Sequence, residues 1–130
     1  VEKAGIIFIG PTPESITLMG DKIGSKKALE KLKVPLTPGY HGDDQSDETL
    51  IKEAKKIGYP ILIKASAGGG GKGMRIVHQD SELLEAIQGA KSEGLKSFSS
   101  DKVLIEKYVV NPRHIEVQLM SDTHGNHLHF

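Results

Sequence analysis

The chain has 130 residues, with 17 Lys or Arg balanced by 17 Asp or Glu, and its formal net charge at pH 7 is zero. A neutral chain has no overall field that would capture a polyanion, which argues against binding to nucleic acid or to an anionic membrane surface through bulk charge. The absence of cysteine excludes disulfides, thiolate catalysis and cysteine-bound zinc, and the longest apolar run, residues 6–9, is far shorter than the ~20 residues that span a bilayer.

The first 32 residues predict one strand and two helices. Residues 6–9 are apolar and are followed by Gly-Pro-Thr-Pro, which is typical of a buried strand that runs into a loop. A short helix is expected around residues 14–19. Asp21 can cap a second helix that runs from Lys22 to about Leu32.

Two amphipathic helices are expected further along the chain. The first begins at Ser46 or Asp47 and ends at Gly58. Its apolar residues recur at helical spacing and predict one packed face, made of Leu50, Ile51, Ala54 and Ile57. The second begins at Asp80 or Ser81 and ends near Gly94. Its apolar side is made of Leu83, Leu84, Ile87 and Ala90.

Strands are predicted between and after these helices. The β-branched run 61–65 and the segment 74–77 surround a group of glycines, which indicates a hairpin with a long glycine tip. A third strand is expected over residues 102–108. Alternating polar and apolar residues then predict a strand over 114–119, which pairs back with residues near Leu128 across a turn. Strands paired beside helices on one face predict an α+β fold.

The most informative segment is the glycine-rich loop, which has five glycines between Gly68 and Gly73 and also contains Lys72. Consecutive glycines let the backbone adopt positive φ and bring several N–H groups to one phosphate. The loop is neither a P-loop nor a Rossmann turn, because Gly73 stands where a Ser or Thr would hold magnesium and a strand follows where a helix should begin. It predicts a flap that closes over nucleotide phosphates. A flexible tip that binds nothing is the alternative.

Lys64 lies in the apolar strand just before this loop. Strand alternation places Leu62 and Lys64 on one face of the sheet, opposite Ile61, Ile63 and Ala65. The Lys64 ammonium either reaches solvent or points at phosphate oxygens beneath the flap, and we favour the phosphate role. Lys22, at the start of a helix, carries no such signal by itself, since most lysines at that position are solvated.

Residues 103–109 are apolar, then polar, then apolar again. Such a stretch can offer main-chain groups to an adenine edge, with the Glu106 carboxylate near the amino group or the ribose, although a solvated end of a sheet gives the same pattern. The chain has no spacing typical of a Ser-His-Asp site. Three histidines lie near the end of the chain, namely His124, His127 and His129. They have no cysteine or clear carboxylate beside them, so a solvated hairpin is favoured over a zinc site.

Five segments together resemble the biotin carboxylase component of biotin-dependent carboxylases, in order and in spacing. They are Gly20-Asp21-Lys22 and residues 59–65, 68–75, 106–109 and 111–118. The glycine loop alone indicates only the wider ATP-grasp superfamily, whereas the Pro-Arg-His-Ile-Glu-Val-Gln sequence at 112–118 is far more specific. The resemblance covers essentially the whole chain, and residues 38–47 are most similar to the methylcrotonoyl-CoA carboxylases.

The resemblance implies that ATP with Mg²⁺ or Mn²⁺ activates bicarbonate as carboxyphosphate, and that the carboxyl group passes to biotin on a carrier domain. A carboxyltransferase subunit would be a further partner, in an oligomeric enzyme of the bacterial cytoplasm or the mitochondrial matrix. The implied nucleotide contacts are the phosphate-binding Lys22 and Lys64, the phosphate-covering Gly70 and Gly71, the adenine-binding Glu106, Lys107, Tyr108 and Val109, and the nucleotide-binding His114.

The resemblance also implies three parts of the chain. Residues 1–36 would end the N-terminal biotin carboxylase domain, residues 37–108 would form the ATP-grasp lid, and residues 109–130 would begin the C-terminal ATP-grasp subdomain. The catalytic, metal-binding and biotin-binding residues of the family would lie beyond residue 130, so these 130 residues are expected to be inactive alone. Two alternatives stay open: another ATP-grasp ligase, which forms carbamoyl phosphate or an amide bond, and a nucleotide-binding module without catalysis.

Overall fold

The computed structural model describes residues 1–67 and 69–130, apart from the side chain of residue 2. Gly68, the first glycine of the predicted flap, therefore lies outside the described residues. The described chain has a 3₁₀ turn (Glu2–Ala4) and the helices α1 (Pro13–Gly20), α2 (Lys22–Lys31), α3 (Asp47–Ile57) and α4 (Asp80–Phe98). Its strands are β1 (Gly39–Tyr40), β2 (Ile61–Ala65), β3 (Met74–Val77), β4 (Val103–Lys107), β5 (Leu119–Ser121) and β6 (His127–His129).

Four of these strands form one antiparallel sheet in the order β1-β4-β2-β3. Strand β2 lies in the middle, and its Ile63 is opposite Arg75 of β3 on one side and Ile105 of β4 on the other. The predicted hairpin of β2 and β3 is confirmed. The two-residue strand β1 was not predicted, because its Gly-Tyr sequence is too short to carry a periodic signal.

Helices α3 and α4 cover one face of this sheet and form the hydrophobic core with it. The predicted α+β class is confirmed. Alternation along β2 directs Ile61 and Ile63 into the core and Lys64 to the opposite face. The core is completed by buried side chains from both helices and the neighbouring strands, namely Leu50, Ala54, Val77, Leu83, Ile87, Ala90, Val103 and Ile105.

Side-chain caps fix the helix starts where the sequence places them. The Asp21 carboxylate accepts the Gly24 N–H at 2.9 Å, and Ser46 Oγ accepts the Thr49 N–H at 3.4 Å. Each cap satisfies a backbone donor that has no partner within the helix. Gly58, with φ of +77°, ends α3 as predicted.

One predicted strand is wrong and a second begins later than predicted, although the predicted pairing of this second strand with residues near Leu128 is confirmed. Residues 6–9 have no regular structure, and their side chains are 52% to 97% exposed. Within the predicted strand 114–119, only Leu119 belongs to a strand, because β5 pairs with β6 from Leu119 onward. A strand requires a neighbouring backbone to pair with. Among the described residues no strand ladder includes residues 6–9 or 114–118, although the Phe130 N–H donates to the Gln118 carbonyl just before β5.

The predicted end of α4 near Gly94 is also wrong. The helix continues to Phe98 and ends with Ser99 in the left-handed conformation, at φ of +56°. Gly94 is buried, and a Cβ added there would lie 2.6 Å from the Ser100 carbonyl oxygen. This glycine therefore permits a close approach of the returning chain and does not stop the helix. Leu84, expected on the apolar side, is 45% exposed.

Gly94→Ala is expected to destabilise the protein. Alanine gains about 1 kcal/mol of helix propensity, but crowding against the fixed Ser100 carbonyl costs about 1–3 kcal/mol. The difference between these two effects is a net loss of about 0–2 kcal/mol, and we expect a value near its middle, about 1 kcal/mol, in urea unfolding. Gly20→Ala is the matched control, because it also lies in a helix and has no atom within 4 Å of an added Cβ. Equal stability of the two variants would contradict the close-approach role.

Candidate functional site

The candidate site lies on the second face of the sheet, opposite α3 and α4. Cross-strand pairing brings Leu62 opposite Glu106, and Lys64 opposite Met74 on one side and Leu104 on the other. The predicted placement of Leu62 and Lys64 on one face is confirmed by the burial pattern of β2. This face thus carries charged and apolar side chains next to the glycine-rich loop, which begins where β2 ends.

Glu106 is held between two lysines on this face. Its side chain pairs with Lys26 of α2 at 2.5 Å and also with Lys64 of β2. Glu106 is only 6% exposed, whereas the lysine side chains retain 15% and 24% of their exposure. We call Lys26, Lys64 and Glu106 the Glu106 cluster. Lys26 was not predicted, because its place in α2 shows no signal until the helix is laid on the sheet.

The Glu106 cluster carries an excess of positive charge. Burial raises the pKa of Glu106, but hydrogen bonds and charge from Lys26 and Lys64 outweigh that effect, so the pKa lies below its ordinary value. The carboxylate is therefore ionised at neutral pH, and two ammonium groups share one negative charge. Each ammonium has three N–H donors, so contact with one carboxylate leaves capacity to bind a further anion.

Ser66 ties the start of the glycine-rich loop to α2. Its side chain is 3% exposed, and its Oγ donates to Asp21 Oδ1 at 2.6 Å. The Ser66 N–H donates to the Lys102 carbonyl at 2.8 Å, and the Ser66 carbonyl accepts the Lys22 N–H at 3.4 Å. Lys22 is therefore held at the start of the loop. Sequence analysis missed Ser66, whose role depends on a contact with α2, 45 residues earlier in the chain.

The described part of the loop has the backbone geometry that consecutive glycines permit. Gly70 and Gly71 have φ of +67° and +79°, and no atom lies within 4 Å of a Cβ added at either position. The loop closes at Gly73, whose carbonyl accepts the Ala65 N–H at 3.1 Å. The loop thus has a fixed base and surroundings open enough for a ligand.

The segment predicted to hold an adenine edge has partly structural roles. Lys107 Nζ donates to the carbonyls of Gly58 and Tyr59 at 2.9 and 2.7 Å, which satisfies acceptors at the end of α3. The Tyr108 N–H donates to the Pro60 carbonyl at 3.1 Å. Val109 is 53% exposed, so this residue lies at the surface beyond the end of β4.

His114 does not join the Glu106 cluster. Its Nε2 lies 2.6 Å from Glu116 Oε1, and both side chains are about four-fifths exposed, at 78% and 80%. Among the described residues, no hydrogen bond or ion pair connects His114 to Lys64 or Glu106. Its predicted nucleotide contact stays a prediction.

An apolar strip lies beside the Glu106 cluster and was not singled out from the sequence. Met74 and Ile76 of β3 are 43% and 44% exposed, and Met74 is the cross-strand partner of Lys64. A half-exposed apolar strip next to ammonium groups suits a ligand with a flat apolar part and an anionic part. The signal was present in the hairpin register, since Met74 and Ile76 must share a face with Leu62 and Lys64.

The search for metal and membrane features covers only the described residues. Within them, no three His, Cys, Asp or Glu side chains are grouped so that they could hold a metal ion. None of the described helices has the length and hydropathy of a membrane span.

Glu106→Gln is expected to destabilise the protein by about 2 kcal/mol at pH 7, because both lysines lose a charged partner in a half-buried place. The difference from the wild type should be fully present above pH 4.5, the ordinary pKa of the group, and should disappear as the pH falls through the lowered pKa of Glu106 in the folded protein. Urea unfolding of both proteins from pH 7 to pH 3 measures it. A difference that grows towards acid would contradict the assigned ion pairs.

Comparisons with known proteins identify the family of the chain. Residues 21–130 match the family described as "Carbamoyl-phosphate synthase L chain, ATP binding domain". The chain is 53% identical over 128 residues to the mitochondrial methylcrotonoyl-CoA carboxylase subunit alpha of Dictyostelium discoideum, and 52% identical over 127 residues to a biotin carboxylase of Haemophilus influenzae. These alignments cover 98% and 97% of this chain, but only 18% and 28% of the two relatives.

Two solved structures share the fold. The biotin carboxylase of Campylobacter jejuni, in a beta-gamma-ATP complex, is 44% identical with a TM-score of 0.91, over 98% of this chain and 29% of that one. The biotin carboxylase domain dimer of the 2-oxoglutarate carboxylase of Hydrogenobacter thermophilus, in complex with MgADP, ADP and bicarbonate, is 46% identical with a TM-score of 0.90, over 98% and 28% of the two chains. The family match and these identities together confirm the resemblance found in the sequence: the chain belongs to the ATP-grasp domains of the biotin carboxylases.

Proposed function

We propose that the second face of the sheet binds MgATP, with the triphosphate between the Glu106 cluster and the glycine-rich loop. The observation that carries this proposal is the position of two lysines around one buried carboxylate, directly before a loop with positive φ at Gly70 and Gly71. An anion placed there would contact ammonium groups of the Glu106 cluster on one side and main-chain N–H groups of the loop on the other. Lys22, held at the loop by Ser66, is the further phosphate ligand.

The adenine would lie beside this phosphate site. We assign its flat face to the apolar strip of Met74 and Ile76, where a base would cover exposed hydrocarbon next to Lys64. Main-chain groups at the end of β4, from Glu106 through Lys107 and Tyr108 to Val109, would bind its edge, except for the N–H groups of Lys107 and Tyr108, which already donate to the Pro38 and Pro60 carbonyls. The Glu106 carboxylate itself acts through the two lysines, because its oxygens are already paired with them.

The contribution of this chain to phosphoryl transfer would be positioning and charge neutralisation. Those two effects supply most of what phosphoryl transfer requires from a protein. Lys22 and Lys64 would hold the phosphates, and closure of the loop over them would exclude water. No group of described residues fits a protein-held metal ion, so Mg²⁺ enters this proposal only as the counter-ion of ATP.

For the whole protein, we propose the activity of a biotin carboxylase, which uses MgATP and bicarbonate to carboxylate biotin on a carrier domain. In this assignment residues 1–36, 37–108 and 109–130 belong to the end of the N-terminal domain, the lid and the start of the C-terminal subdomain. An oligomeric enzyme with a carboxyltransferase subunit, in the bacterial cytoplasm or the mitochondrial matrix, would be the setting. ATP-dependent incorporation of labelled bicarbonate into free biotin by the full-length protein tests the activity.

The same assay separates the alternatives. A ligase that forms carbamoyl phosphate or an amide bond would cleave ATP without carboxylating biotin, and a module without catalysis would bind ATP and cleave none.

For the acyl acceptor, identities of 53% to a methylcrotonoyl-CoA carboxylase subunit and 52% to a biotin carboxylase do not separate the subfamilies. On the resemblance of residues 38–47, we propose methylcrotonoyl-CoA, and carboxylation of this thioester in preference to propionyl-CoA is the test.

Lys64→Gln is expected to weaken MgATP binding by a factor of about 10 to 150, because the loss of a charged hydrogen bond to phosphate costs about 1.5–3 kcal/mol. Isothermal titration of the full-length protein with MgATP measures the change. Lys52→Gln is the control, since Lys52 is exposed on α3, which covers the other face of the sheet. Binding by Lys64→Gln within two-fold of the control, with an intact fold, would remove Lys64 from the site.

Gly71→Ala is expected to weaken MgATP binding about five- to thirty-fold, because alanine at positive φ costs about 1–2 kcal/mol. Gly69→Ala is the matched control in the same loop. An added Cβ meets no atom within 4 Å at either position, but only Gly71 has a positive φ, of +79°. We therefore expect less than a two-fold change in Gly69→Ala by the same titration. Equal effects of the two substitutions would show that backbone conformation at Gly71 does not matter for binding.

A further inference from the structure

The end of the glycine-rich loop, at Gly73, lies near the last turns of α4. Gly73 has φ of +69°, and a Cβ added there would lie 2.9 Å from the Ala65 Cβ. A Cβ added at Gly94 of α4 would lie 3.4 Å from the same Ala65 atom. Small residues thus allow the end of the loop, the end of β2 and the helix to pack closely.

Glu93 of α4 binds this end of the loop. Arg75 Nη1 donates to Glu93 Oε2 at 3.0 Å, and each side chain is about one-third exposed, at 34% and 37%. A hydrogen bond from the Gly73 N–H and the pairing with Arg75 lower the pKa of Glu93. The Arg75 guanidinium also lies across the helix at Gly89, where an added Cβ would be 2.9 Å from its Nε. One carboxylate therefore binds both the last glycine of the loop and the strand that follows it.

The loop is fixed at its two ends and open between them. Ser66 and Asp21 hold its beginning against α2, at 2.6 Å. Glu93 holds its end against α4. Between these anchors, a Cβ added at Gly69, Gly70 or Gly71 would meet no atom within 4 Å. The two anchors therefore fix where the described part of the loop begins and ends.

We propose that Glu93 is a positioning residue for the glycine-rich loop, and that its contacts with Gly73 and Arg75 set the direction from which the loop closes over a bound phosphate. Glu93 does not touch the nucleotide in this arrangement and acts through the loop. The inference rests on the proposed function in one respect, that the ligand under the loop is the ATP triphosphate.

Hydrogen exchange in the nucleotide-free, full-length protein tests the anchor without reference to activity. We expect the amides of residues 69–75 to exchange about five-fold faster in Glu93→Gln, the loss expected for a hydrogen bond of about 1 kcal/mol. Glu93→Ala, which removes the acceptor altogether, should accelerate exchange further. Glu85→Gln is the matched control, because Glu85 is an exposed glutamate of the same helix. Exchange in Glu93→Gln equal to that of the control overturns the proposal.

Arg75→Gln removes the charged partner of Glu93. If a Glu93 variant fails to fold, hydrogen exchange in Arg75→Gln is the test of the anchor. If Arg75 and Glu93 act as a pair, exchange in the double variant should be no faster than in the faster single variant. Multiplied single effects would overturn the pairing.

The KM for ATP in Glu93→Gln should rise about five-fold with a smaller change in kcat, and an unchanged KM despite faster exchange would overturn the positioning role. If the wild type binds no MgATP, the proposed function fails, whereas the exchange experiment still decides whether Glu93 anchors the loop.

Discussion

Burial of the Glu106 carboxylate is the constraint on which the rest of the site depends. Glu106 is 94% covered, and burial of its ionised carboxylate would cost much free energy without charged partners. Lys64 supplies one partner from the neighbouring strand, and Lys26 supplies the other only if α2 lies across this face. The position of α2, and with it that of Asp21 at its start, follows from this requirement.

The two lysines give the site a polarity that the whole chain lacks. The chain is neutral, but two ammonium groups around one carboxylate leave a local positive charge, which an arriving phosphate would neutralise. Because the same ammonium groups pair with Glu106 without any ligand, they would already be oriented for the proposed phosphate. Such preorganisation lowers the ordering cost of binding. Beside them, the described part of the glycine-rich loop is held at both ends, and an added Cβ would meet no atom within 4 Å at Gly69, Gly70 or Gly71.

Local patterns in the sequence were sufficient for the elements whose signals are local. The caps at Asp21 and Ser46, the stop at Gly58 and the hairpin around the glycines were all predicted, because each depends on residues within a few positions of one another. The strand predicted at residues 6–9 and most of the one predicted at 114–119 were wrong, since alternation or apolar character creates a strand only where another backbone pairs with it. Gly94 was misread for a similar reason, because the returning chain that requires it lies outside its own helix.

By itself, the sequence determined most of the apolar face of α3 and α4, the two faces of β2, the need for positive φ in the glycine-rich loop, and which family the chain resembles. Only the tertiary structure decided which side chains meet. Lys26 and Glu106 are 80 positions apart in the chain, and Ser66 reaches back to Asp21. Periodicity cannot encode such pairs, because it reports the direction of a side chain relative to its own element. The distance between elements is set by the packing of the whole core.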